Sequence, residues 1–303
     1  MTTKSWVYIA FLSLIWGSSF YFINVSLRGF TPLTLVFLRV SISSIALFAW
    51  MRLMTSLTLP KCLKSWVLYA AISVIATALP FALISWGQLH ISSSMASMLN
   101  ASVPIFTLIF AHFLTQDEKI TLPKLIGVLI GFSGIYTLLS PSLQDGFTLQ
   151  GWGQISVIGA SICYALAAIW SKKLAYNPPL VNSTCTLICA AFIMLPFMFV
   201  FEDPFSLSPG MSSIVAIITL AVFGSGIAYI LLYKVIAMTG AVSLSMVTYL
   251  IPITASIIGV LALNETIAPT SLMGIGVIFI GLIFVDGRIL RLIKKQLGRG
   301  IRK

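Results

Sequence analysis

The chain writes one stretch twice. The run from Ser93 to Gly134 returns from Ala241, with Ser97 and Ser245, Met98 and Met246, and Pro104 and Pro252 each 148 residues apart. After a one-residue deletion, Glu118 and Glu265, Gly127 and Gly274, and Gly134 and Gly281 are each 147 apart. Each copy is a long apolar run with a central proline, a lone glutamate at its exit, then a second apolar run carrying glycines. That order describes two membrane-spanning helices joined by a short polar turn, and a duplication of this kind constrains what the rest of the chain can be.

Composition agrees. A chain with 59% hydrophobic and 8% charged residues cannot coat a soluble domain, which needs roughly a quarter of its residues charged. Thirteen prolines and 21 glycines are tolerated in membranes, where neighbouring helices re-satisfy the backbone groups they release. The net charge of +11 sits in short loops and at the C-terminus. It therefore points to orientation and lipid headgroups rather than to nucleic acid. Cys185 and Cys189 share a helix face without a third ligand, and His90 and His112 have no spaced partner, so neither a metal site nor a catalytic triad is expected.

Ten apolar runs follow one another: Trp6–Leu27, Leu33–Met51, Trp66–Gly87, Ser92–Leu114 and Leu122–Leu139, a break over Pro141–Gly146, then Trp152–Trp170, Val181–Phe201, Ile214–Tyr233, Val242–Leu263 and Leu272–Val285. The fold class is an all-α polytopic membrane protein of ten transmembrane helices. The expected domains are a first repeat over 1–140, a linker over 141–150, a second repeat over 151–287 and a basic tail over 288–303. Five spans per repeat make the second enter the membrane upside down, giving two inverted five-helix repeats. With the N-terminus inside, all but Arg28 and Arg39 of the 18 Lys+Arg fall on the cytoplasmic side, so both termini are expected there. The tail Gly287–Lys303 reads either as a short helix on anionic lipid or as a basic extension enforcing that topology.

On the fourth run, Ser93, Ser97, Asn100, Pro104 and Thr107 share one helix face, and the ninth run repeats them as Ala241, Ser245, Thr248, Pro252 and Ala255. An Asn at mid-membrane is costly against lipid, so this stripe faces protein or a hydrated cavity. Asn100 is read as a cavity residue and the serines more as packing. Pro104 and Pro252 bend their helices, as gating hinges or as fixed kinks. Glu118 and Glu265 are read as caps for the start of the following helix rather than as proton-coupling groups. Arg39 is expected to snorkel outward or to pair with a carbonyl rather than to bind an anion. Gly127, Gly131, Gly134, Gly274, Gly276 and Gly281 smooth the fifth and tenth helices for packing on their own repeats or on a second copy in a homodimer.

The chain resembles the drug/metabolite transporter superfamily, of the ten-helix EamA type. The resemblance rests on Trp16-Gly17-Ser18-Ser19, on Pro32 with Leu38-Arg39, on the paired Pro, Glu, Gly, Gly blocks, and on Ala228-Tyr229 through Tyr249-Leu250-Ile251-Pro252 to Asn264-Glu265. It departs at Asn264 and Asp117, where the family often places Gly before the Glu. The resemblance implies a central cavity lined by the first, third and fourth helices of each repeat. It also implies transport of small metabolites, often export of amino acids or related compounds. Trp16, Ser19, Trp86, Tyr164, Tyr229 and Tyr249 fall in those helices and join Ser97, Asn100, Ser245 and Thr248 as candidate cavity residues. The expectation is a transporter in the bacterial inner membrane working by alternating access. Its partners are a small-molecule substrate and membrane lipids, with no cofactor, no metal and no catalytic residue. A lipid-modifying membrane enzyme would need clustered His, Asp or Glu near one interface, and a non-transporting scaffold would have no hydrated cavity.

Overall fold

Hydrocarbon offers no hydrogen-bond partner to a peptide group, so runs this apolar must close their bonds within themselves. The computed structural model describes residues 3–115, 120–144, 148–239 and 247–286, and among these there is no strand. Helix α1 (Thr3–Ser26) is followed by α2 (Pro32–Met54), and α3 (Leu63–Ser73) continues through a π-helical turn, Val74–Ala78, into α4 (Leu79–Gly87). Then come α5 (Ser93–Asn100), α6 (Val103–Leu114), α7 (Leu122–Gln144), α8 (Leu149–Ser171) and α9 (Pro179–Phe201). Helix α10 (Met211–Thr219) continues through a second π-helical stretch, Leu220–Ile227, into α11 (Ala228–Thr239), and α12 (Val247–Leu263) and α13 (Pro269–Asp286) complete the set. Among the described residues, eight helical stretches are long and apolar enough to cross a bilayer, and two shorter apolar helices, Leu250–Leu263 and Pro269–Val285, take the ninth and tenth places. Large apolar side chains such as Ile45, Leu129, Phe192, Val200 and Leu261 stand exposed around the outside, where acyl chains would cover them.

Packing follows a two-fold pattern. The first span, α1, lies on α12 and on α10–α11, and the sixth span, α8, lies in the corresponding way on α5–α6 and α4. The second span packs on the seventh, and the fifth on the tenth. Direction is settled by particular contacts. Gly127, early in α7, meets Gly281 and Val285 late in α13, while Gly134 meets Gly274 and Ile278. Equivalent helices therefore run antiparallel, and the architecture is two inverted five-helix repeats.

The α7–α13 seam brings backbone against backbone. A Cβ on Gly127 would stand 2.6 Å from the Gly281 carbonyl oxygen, and one on Gly134 would stand 2.7 Å from the Ile278 nitrogen. These glycines meet the opposite repeat rather than their own, because the two-fold relation presents each glycine face to its copy. Gly276, by contrast, faces open space. Helix α7 also runs past Pro141 to Gln144, where a break was expected. Pro141 has no N–H for the Thr137 carbonyl, and the Ser140 hydroxyl donates to it instead at 2.8 Å.

Two carboxylates pin one end of the bundle, each across the repeat boundary. Glu265 accepts from the backbone N–H groups of Ser93 and Ser94 at 2.8 and 3.0 Å and from the Ser94 hydroxyl. It thus caps α5 of the other repeat rather than the helix that follows it, because the turn after α12 is folded back. Asn264 makes that turn with φ 53°, a left-handed conformation that Asn tolerates. Glu202 does the same at the start of α2, accepting from the N–H groups of Leu33 and Thr34 at 2.9 and 2.7 Å and from both threonine hydroxyls, Thr31 and Thr34. Glu118, with Asp117, and the tail from Gly287 lie outside the described residues.

Candidate functional site

Between the repeats lies a cavity of about 130 Å³. Its wall is itself duplicated. Trp16 and Tyr164, Ser19 and Ala167, Phe20 and Ala168, Ile23 and Ser171, Phe81 and Tyr229, Ile84 and Leu232, Asn100 and Thr248, and Val103 and Ile251 are pairs 148 residues apart, and both members of each pair line the space. They come from the first, third and fourth spans of each repeat, as the resemblance implied. Arg39, from the second span, is the single addition from outside those six spans among the described residues.

The polar framework of the cavity grows out of the two π-helical segments, which also occupy equivalent places. A π turn shifts the ladder by one residue and leaves carbonyls that the next turn does not collect. In the third span Pro80 has no N–H for the carbonyl four residues back, that of Ala76. The Tyr229 hydroxyl donates to this carbonyl at 2.6 Å and lies 2.8 Å from the Thr77 hydroxyl. In the eighth span the Ala228 N–H goes to Phe223 and Ser225, bypassing Gly224. Arg39 Nη2 donates to the Gly224 carbonyl at 3.2 Å and Nε donates to the Ser225 hydroxyl at 2.6 Å. Ser43, one turn along α2, donates to the Ala221 carbonyl at 2.7 Å. Each repeat thus satisfies the exposed carbonyls of the other.

Arg39 was expected to snorkel or to meet a carbonyl, and it does the second. It is 3% exposed, its guanidinium carbon lies 3.6 Å from the centre of the Phe81 ring, and it lines the cavity. Phe81 escaped sequence reasoning, since nothing in the pattern distinguishes it from a packing aromatic. Thr107 and Tyr233 also line the cavity, and Tyr233 lies 3.1 Å from the Thr186 hydroxyl.

The other candidates divide. Trp16, Ser19, Asn100, Tyr164, Tyr229 and Thr248 face the cavity. Asn100 is buried there, with the Ser161 hydroxyl at 3.5 Å from its Oδ1. Ser97 is enclosed and donates to the Ser94 carbonyl of its own helix at 2.7 Å, a packing role. Trp86 points away: it is 38% exposed and stacks edge-on against His90 at 4.7 Å. Ser245 and the side chain of Tyr249 lie outside what the structure describes. The prolines behave differently in the two copies. The fourth span breaks after Asn100 and restarts with Pro104 in the first turn of α6, where the missing N–H does no harm, whereas Pro252 sits inside a continuous α12. Both lack the N–H that would bond the carbonyl four residues back, and those residues, Asn100 and Thr248, are cavity residues. Among the described residues no three His, Cys, Asp or Glu cluster in a way that would hold a metal ion.

Two stretches of the chain, residues 4–140 and 151–285, match the EamA-like transporter family. The chain belongs to that family. Its EamA-like relatives include an uncharacterized transporter of Archaeoglobus fulgidus, 25% identical over 93% of this chain and 98% of the relative. The uncharacterized inner membrane transporter YedA of Escherichia coli is 25% identical over 90% of this chain and 88% of its own. A WAT1-related chloroplastic protein of Arabidopsis thaliana is 26% identical over 75% of this chain and 56% of the relative. A solved structure titled only as a crystal structure of protein superposes with a TM-score of 0.69 at 17% identity, covering 96% of this chain and 99% of that one, which shows the same fold. The EamA-like chain is a membrane transporter.

Proposed function

We propose that this transporter exports a small organic metabolite, an amino acid or a related compound, by alternating access of its two inverted repeats around the central cavity. The observation that carries the reading is the duplicated wall: eight pairs of equivalent residues surround one site, so rocking one repeat against the other exposes equivalent positions to either face. The carboxylate caps of Glu202 and Glu265 tie the repeats together at one end, which fits a state closed there. The opposite end carries Lys172, Lys173 and Lys234, and loop charge supports placing it and both termini in the cytoplasm. The relative YedA, named as an inner membrane transporter, supports the same membrane for this chain in a bacterium.

The test compares metabolites in the medium and cytoplasm of cells with and without the protein, followed by counterflow of the enriched compound in proteoliposomes. Export of a defined compound that depends on the protein is expected. A profile identical in both strains, from cells in which the protein is folded and in the membrane, would overturn the reading.

A further inference from the structure

The two-fold symmetry of the cavity is broken at Arg39. The positions 147 and 148 residues on, Thr186 and Leu187, are not part of the wall. Architecture alone does not call for a charge there. The equivalent carbonyl in the other repeat, that of Ala76, is satisfied by a neutral hydroxyl from Tyr229, and the residue that could do the same for Gly224, by symmetry, is Phe81. The chain instead carries a guanidinium, buried, with neutral partners: a hydroxyl, a carbonyl and a ring. Among its five N–H donors, two bond to those oxygens. The described cavity wall contains no carboxylate. A buried cation without an anion is costly, and the cost is offset when an anion arrives.

We infer that the cavity takes an organic monoanion, a carboxylate on an apolar body of about one ring, with the carboxylate held by Arg39. This rests on the transport reading and, within its class, favours carboxylates related to amino acids over the zwitterionic amino acids themselves. The body size follows from the volume: about 130 Å³ is close to the ~150 Å³ cavity that admits benzene. The apolar character follows from Phe20, Ile23, Ala76, Ile84 and Val103 on the wall. A zwitterion would bring an ammonium group that finds no carboxylate among these residues, and a cation would meet Arg39 with like charge.

The experiment uses four probes that share one body and differ in charge: 3-phenylpropionate, L-phenylalanine, 2-phenylethylamine and 3-phenylpropanol. Each is titrated against the purified full-length protein in detergent at neutral pH, with ionic strength held constant by sodium chloride, and the thermal midpoint is read. Half-maximal stabilisation by 3-phenylpropionate is expected at a concentration roughly ten- to a hundred-fold below that of the other three. In a double variant, Arg39→Met with Phe81→Tyr, the neutral pairing of the other repeat is rebuilt so that folding does not depend on the charge. There the preference for the anion should vanish while binding of the alcohol stays. Equal or tighter binding of the amine, the alcohol or the zwitterion to the wild type overturns the inference, as does a folded double variant that still prefers the anion. Binding of none of the four overturns it for bodies of this size, and full protection by sodium chloride alone assigns the site to an inorganic anion. Probe binding combined with no protein-dependent solute flux leaves the anion site standing and removes the transport reading instead.

Discussion

The hydroxyl of Tyr229 donates to the carbonyl of Ala76 at 2.6 Å, tying the eighth span to the third at the point where Pro80 leaves that carbonyl without its helical partner. Replacing Tyr229 with Phe keeps the ring and its edge contact with Phe81 while removing the donor. A buried carbonyl left unsatisfied costs about 1–3 kcal/mol. Tyr229→Phe is expected to lower the thermal midpoint in detergent, and an unchanged midpoint would mean that water or Thr77 takes over the bond.

The Glu265 cap gives a coupling rather than a single loss. Glu265→Gln and Ser94→Ala should each destabilise, and the double variant should cost less than their sum by about 0.5–2 kcal/mol, because the two groups share one interaction. Gly259→Ala should behave like the Glu265 variant, since a Cβ there would collide with the carboxylate. Strict additivity in denaturation of the three pairings would separate Glu265 from α5.

The glycine seam predicts a contrast between two positions two residues apart. Gly274→Val places a side chain where even a Cβ would lie 2.7 Å from Leu138, and should abolish a monodisperse folded peak in size-exclusion chromatography. Gly276→Val, facing open space, should leave that peak in place.

Asn100 and Ser97, one helical turn apart, should differ in exposure to the cavity. In a background without native cysteines, Asn100→Cys is expected to react with a small hydrophilic thiol reagent and Ser97→Cys to resist it, because only the former faces the cavity. Asn100→Leu should weaken substrate binding about five- to a hundred-fold through loss of one donor and one acceptor. An unreactive cysteine at 100 would return Asn100 to a packing role.

Orientation is checked at two exposed loop residues. With Cys62 replaced, a cysteine at Phe205 should label from outside intact cells with an impermeant reagent, and one at Tyr176 should label only after permeabilisation; the two side chains are 86% and 96% exposed. The reverse pattern would invert the topology.

Much of the fold could be read from the chain because membrane helices are written locally, as run length, proline, glycine and loop charge. The duplicated offsets specified which helices correspond between the repeats, although not that Gly127 and Gly134 would meet the opposite repeat. What stayed hidden is non-local. The π-helical segments at Val74–Ala78 and Leu220–Ile227 leave no mark in an apolar run, so the carbonyls they expose could not be matched to Tyr229 or Arg39 in advance. Trp86 was misplaced because an aromatic near a span end reads the same whether it faces a cavity or lipid. Glu202 carries no local signal of its role at α2, which exists only once residues 168 to 171 apart meet.

The Ser13 hydroxyl donates to the Val247 carbonyl, 234 residues further along, where the first span rests on the ninth. At synthesis rates of roughly 5–20 residues per second, the first span waits about 10–50 s in the bilayer before that neighbour is made. During this interval its orientation depends on the charges beside it, and its polar face must be sheltered by an insertase or by the spans made before the ninth. Insertion and assembly are thus separate events for this chain. A ribosome that stalls anywhere in the second repeat leaves a correctly oriented protein with an unclosed bundle, which is the form that membrane quality-control proteases would meet.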